Sequence, residues 1–171
     1  MDVSKLFTDS VNVLKLRKQA MSDVLNAPMS HSFFILGLMS VLAALGYVFF
    51  PVRPFEGVVY RPDFLWIVGR ALGNFVFYFL SFSLIGLISD YLLRSKISAR
   101  GFFSLMCHAS LAGFMLLIPA LFPAVVIWYL FVMHEALNKL GKLGTGAIIF
   151  LLCIQFVFSL FLGYTYFPFL A

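Results

Sequence analysis

Apolar and polar positions follow two different patterns along the chain. From Val3 to Leu25 they recur with a helical period. Val3, Leu6, Phe7, Val11, Leu14, Met21, Val24 and Leu25 fall on one side, with Lys5, Thr8, Asn12 and Lys15 opposite. Arg17 and Lys18 flank the apolar stripe, where their aliphatic stems can lie along it. This pattern predicts an amphipathic helix lying in a membrane interface, or packed on the cytoplasmic face of a helical bundle or on a partner. Asn26-Ala27-Pro28 ends it, because the residue before proline avoids the helical region.

Beyond residue 28 the period gives way to long apolar blocks. Ser32–Phe50 holds 19 residues without a charge, enough to cross a bilayer. Pro51–Asp63, with three prolines and Arg53, Glu56, Arg61 and Asp63, reads as an exposed loop. Phe64–Leu93 makes a second, over-long crossing. As one helix, the 36 residues Phe102–Leu137 would run about 54 Å, against a hydrocarbon core of roughly 30 Å. Pro119 and Pro123 therefore predict a hairpin of two crossings. A glycine-containing turn at Leu140–Gly146 leads to a last crossing, which ends in the aromatic run Tyr164–Phe167. The expected fold is all-α: a polytopic membrane protein with a five-transmembrane-helix bundle and an N-terminal amphipathic interfacial helix. The lead occupies residues 1–28 and the membrane domain 29–171, with crossings at about 32–50, 64–93, 102–118, 120–137 and 147–168.

Composition agrees with this expectation. Hydrophobic residues make up 63% and charged residues 11%, where a soluble domain carries about 25% charged, so lipid is the expected solvent. The net charge of +5 sits at segment ends and forms no single patch, which argues against nucleic acid. Lys5, Lys15, Arg17, Lys18, Arg94, Lys96, Arg100, Lys139 and Lys142 fall on one side of the expected topology. Only Arg53 and Arg61, with Arg70 near the boundary, fall on the other. The positive-inside rule then places the N-terminus in the cytoplasm and the C-terminus outside or in a lumen. The first thirty residues do not read as a cleavable signal.

Candidate chemistry is sparse. Asp90, His108, His134 and Glu135 fall in the cytoplasmic third of their helices, where convergence would let them bind a divalent metal or relay protons. No two stand at a ligand spacing such as H-x-x-x-H, so independent structural roles are the alternative: an Asp90–Arg94 pair, a Glu135–Lys139 pair, and a histidine bonded to a neighbouring helix. Arg70 either faces a polar interior or reaches back to the headgroups. Gly69 and Gly73 form a GxxxG, and Ala109 with Gly113 a second small-residue pair, suited to helix packing in the bundle or to a homo-oligomer seam. Cys107 and Cys153 are far apart in apolar segments and suggest neither a disulfide nor a metal motif. Leu140–Gly146 lacks a P-loop ending, and no serine stands in a G-x-S-x-G motif. No cofactor and no enzymatic reaction are expected.

The layout resembles the Yip-domain family, small membrane proteins named for interacting with Ypt/Rab GTPases, and especially its short prokaryotic members. The resemblance rests on the amphipathic lead and the Ala27-Pro28 step into the first crossing. It continues through the basic loop opening into Gly101-Phe-Phe, Ile118-Pro119, Val126-Ile-Trp-Tyr-Leu and Glu135-Ala-Leu before a glycine-containing turn. It implies five crossings and no catalytic residue. The expected function is that of an organiser or adaptor in a prokaryotic cytoplasmic membrane. Lys15, Arg17, Lys18, Arg94, Lys96, Arg100, Lys139 and Lys142 would meet anionic lipid or a partner protein. The competing expectations are a small oligomeric transporter or channel with a polar path through Asn74, His108 and Gln155, and an accessory subunit of a larger membrane complex.

Overall fold

A computed structural model of the chain describes residues 3–49, 64–112 and 122–166, and every regular element among them is helical. The helices are α1 (Val3–Leu14), α2 (Lys18–Val24), α3 (Met29–Phe49), α4 (Phe64–Leu87), α5 (Ala99–Ala109), α6 (Phe122–Lys139) and α7 (Thr145–Tyr166). The expected loop Pro51–Asp63, the tip at Pro119 and the pair partner Gly113 lie outside the described residues. Two stretches, Met29–Gly46 in α3 and Phe64–Leu92 in α4 and its continuation, are long and apolar enough to cross a membrane.

The lead does not form one helix. Asn12 and Val13 carbonyls accept from the Arg17 and Leu16 amides at 3.2 and 2.9 Å, and Leu16 has φ 54°. This is the Schellman end of a helix with leucine in the left-handed position that glycine usually fills. The sequence carries no glycine there to announce the break. One face of α1, Leu6, Ser10 and Val13, is buried against the bundle, while Val3, Phe7 and Val11 remain exposed.

Helix α5 is the centre of the molecule. Every residue from Gly101 to Ala109 is buried, with α1, α2, α3 and α4 packed around it and α6 against it. A helix covered on all sides must be apolar or find partners for its polar side chains. In α5 the Ser104 hydroxyl bonds Val24 and Ser32, and His108 Nδ1 bonds the Ser104 carbonyl. Phe103 sits 5.7 Å from Phe33 and 5.6 Å from Phe79, ring centre to ring centre, and Phe82 stacks on Tyr129 at 5.7 Å. Such aromatic contacts add about 0.5–1.5 kcal/mol each beyond burial. The first turn of α5 is capped twice: Ser98 Oγ accepts from the Gly101 amide at 3.1 Å, and Asp90 Oδ2 from the Ala99 amide at 2.7 Å. The α-helix ends at Ala109, well short of Ile118, and tightens to a 3₁₀ turn through Ala112, where Ser110 Oγ donates to the Cys107 carbonyl at 2.6 Å.

Helix α4 presents Ser81, Phe82, Ile85 and Gly86 to this core. A Cβ at Gly86 would lie 2.9 Å from the Ala99 carbonyl, so glycine is what lets α4 touch the start of α5. A Cβ at Gly69 would meet nothing within 4 Å among the described residues. Past Leu87 the helix widens into a π-type turn, Ile88–Leu92, with the Leu93 amide donating to the Ile88 carbonyl at 3.1 Å.

Candidate functional site

The two basic links on either side of the α5–α6 segment are joined by backbone. The Lys96 amide donates to the Gly141 carbonyl at 3.0 Å, and Ser95 Oγ reaches the same oxygen at 3.5 Å. The chain fits only because residue 141 is glycine: a Cβ there would lie 2.6 Å from the Leu137 carbonyl and 2.7 Å from Ser95 Oγ. Arg94 and Lys142 adopt left-handed backbones, φ 53° and 58°, which turn the chain out of the preceding helices. Arg94, Lys96, Arg100, Lys139 and Lys142 are all exposed. Lys139 pairs with Glu135, whose other carboxylate oxygen lies 3.8 Å from His134 Nδ1. Asp90 and Arg94 form no ion pair, because the carboxylate is spent on capping α5.

Lys15, Arg17 and Lys18 stand elsewhere. Trp128 Nε1 donates to the Leu14 carbonyl at 3.2 Å, holding the α1–α2 turn beside α6. Trp128 precedes Lys139 by eleven residues, about 16 Å along the helix, so the basic residues form two patches and not one continuous face.

A cleft of about 340 Å³ opens between α1, the α2–α3 link and α5. Its polar walls come from Lys5, Asp9, Asp23, Asn26, His31 and His108. The site is organised through Ser104, whose hydroxyl donates to the Val24 carbonyl at 2.8 Å and accepts from Ser32 Oγ at 3.0 Å. One turn on, His108 Nδ1 bonds the Ser104 carbonyl at 2.8 Å. A carbonyl only accepts, so Nδ1 carries a proton in this bond and Nε2 is the nitrogen left for other contacts.

The four candidate metal or proton groups are thus distributed. Asp90 caps the start of α5, His108 lies near its end, and His134 and Glu135 sit together on α6. Among the described residues no three His, Cys, Asp or Glu side chains are placed to hold a metal ion. The cleft that His108 lines includes neither Asn74 nor Gln155. Asp9, Asp23 and His31 escaped sequence reading as neighbours of His108 in one cleft because they belong to three other elements. Ala109 is fully buried, and Arg70 is half-buried on α4. Cys107 is buried and Cys153 exposed, both as free thiols. No family model, curated protein or solved structure matches the chain.

Proposed function

We propose that the chain is a non-enzymatic, Yip-like integral membrane protein of five crossings. It serves as an organiser or adaptor in a prokaryotic cytoplasmic membrane, with its basic loops toward the cytoplasm. The observation that carries this reading is the junction at Gly141, which gathers Arg94, Lys96, Lys139 and Lys142 at one end of the helices. Exposed lysine and arginine at a membrane surface attract anionic headgroups by about 1 kcal/mol each. The outer surface of α4 gives further support. Leu65, Leu72, Val76, Leu80, Leu87 and Tyr91 are exposed along its length, and only 22% of Phe64–Leu92 is buried, whereas the core helix of a soluble protein is mostly covered. An apolar strip of that length calls for lipid or protein cover.

The test replaces Arg94, Lys96, Lys139 and Lys142 together by Gln in the full chain. Native mass spectrometry of the detergent-solubilised protein then counts bound phosphatidylglycerol against phosphatidylcholine. The wild type should retain the anionic lipid preferentially, less so as salt rises, and the variant should lose that preference. Equal retention by both proteins sinks the lipid reading.

A further inference from the structure

The cleft beside His108 has the features of a binding site that the basic loops do not explain. His108 is 1% exposed, and its Nε2 has no hydrogen-bond partner among the described residues. His108 lines the cleft, so Nε2, the ring nitrogen not spent on the Ser104 carbonyl, is the one open to a ligand or water. The same cleft is walled by Lys5 and Asp9 from α1, Asp23 from α2 and His31 from α3, and of these Asp9 and His31 act electrostatically on the His108 ring. Two carboxylates against one ammonium leave the walls net acidic while both imidazoles are neutral. Leu6, Val24 and Pro28 supply apolar surface between the polar groups. The volume, about 340 Å³, lies at the small end of the range for small-molecule sites.

We propose that this cleft binds a protonated aliphatic primary amine, its ammonium donating to His108 Nε2 and to the Asp9 carboxylate. Asp9 is the acidic side chain whose charge acts on that ring. A primary ammonium has three N–H donors and no acceptor, which suits walls rich in acceptors. Among the described residues no three of the acceptors are placed to close on a metal ion. An ammonium needs only His108 and Asp9, and its alkyl chain can lie on the apolar surface, a second amine on that chain reaching toward Asp23. The same chemistry is carried by free alkylamines and by the ethanolamine headgroup of an aminophospholipid. The inference does not depend on the anionic-lipid reading of the Gly141 junction.

The test uses the full chain in detergent and in nanodiscs. Ethanolamine and 1,4-diaminobutane should raise the melting temperature in detergent, whereas choline, which has no N–H donor on its nitrogen, should not. Asp9→Asn, a change at a half-exposed position of α1, should weaken amine binding at least tenfold, and His108→Phe should abolish it. If phosphatidylethanolamine in phosphatidylcholine nanodiscs stabilises the wild type and free ethanolamine abolishes that gain, the headgroup is the source. Stabilisation by the free amines alone assigns a soluble amine. The proposal falls if no amine and no phosphatidylethanolamine stabilises the wild type, if choline does so equally, or if Asp9→Asn binds amines as well as the wild type. Should His108→Phe fail to fold, Asp9→Asn still decides.

Discussion

Asp90 lies four residues before Arg94, and on a regular helix that spacing makes an ion pair. The five-residue hydrogen bonding at Ile88–Leu92 and the left-handed Arg94 remove the regular helix on which the pair depends. The carboxylate instead caps α5 through the Ala99 amide. Asp90→Ala should therefore destabilise by about 1–2 kcal/mol, while Arg94→Ala should stay within about 0.5 kcal/mol. Melting temperatures of the two detergent-solubilised variants settle the point, and a larger loss at Arg94 would restore the ion pair. His108 was legible as a polar residue in an apolar segment. Its cleft was not, because no local pattern announces that four separate elements bring their polar groups to one place.

Among the elements, the join of α2, α3 and α5 rests on one hydroxyl. Ser104→Ala leaves the Val24 carbonyl and Ser32 hydroxyl without their partner and should cost about 1–3 kcal/mol. The Ser32→Ala and Ser104→Ala changes should couple by at least 0.5 kcal/mol in a double-mutant cycle. Hydrogen exchange should speed first in α2, and additive effects would deny the shared bond. The bodies of α3 and α7 were readable from uncharged apolar runs, that of α4 from an apolar run broken by Arg70 alone, and the start of α3 from Pro28, because length and hydropathy alone define such helices. The breaks were harder to read. Leu16 ends α1 in a backbone conformation that favours glycine, and the α5 helix ends inside an unbroken apolar run with nothing in composition to mark it. Gly86 was passed over for Gly69 because spacing shows where small residues align, while only packing shows which of them another backbone approaches.

For the molecule as a whole, the all-helical expectation holds among the described residues, and two of the expected crossings are long and apolar enough to span a membrane. Five crossings would put Met1 and Ala171 on opposite sides. Epitope tags at the two ends, probed with protease in sealed inverted vesicles, should show only the N-terminal tag exposed to protease. Digestion of both tags would require an even number of crossings. The bond from Trp128 to Leu14 has a practical consequence of its own. The chain has two tryptophans, so Trp66→Phe leaves a single indole whose N–H is engaged by the leading segment. Its emission colour becomes a built-in optical gauge of whether that segment is seated or released, readable in real time without any dye.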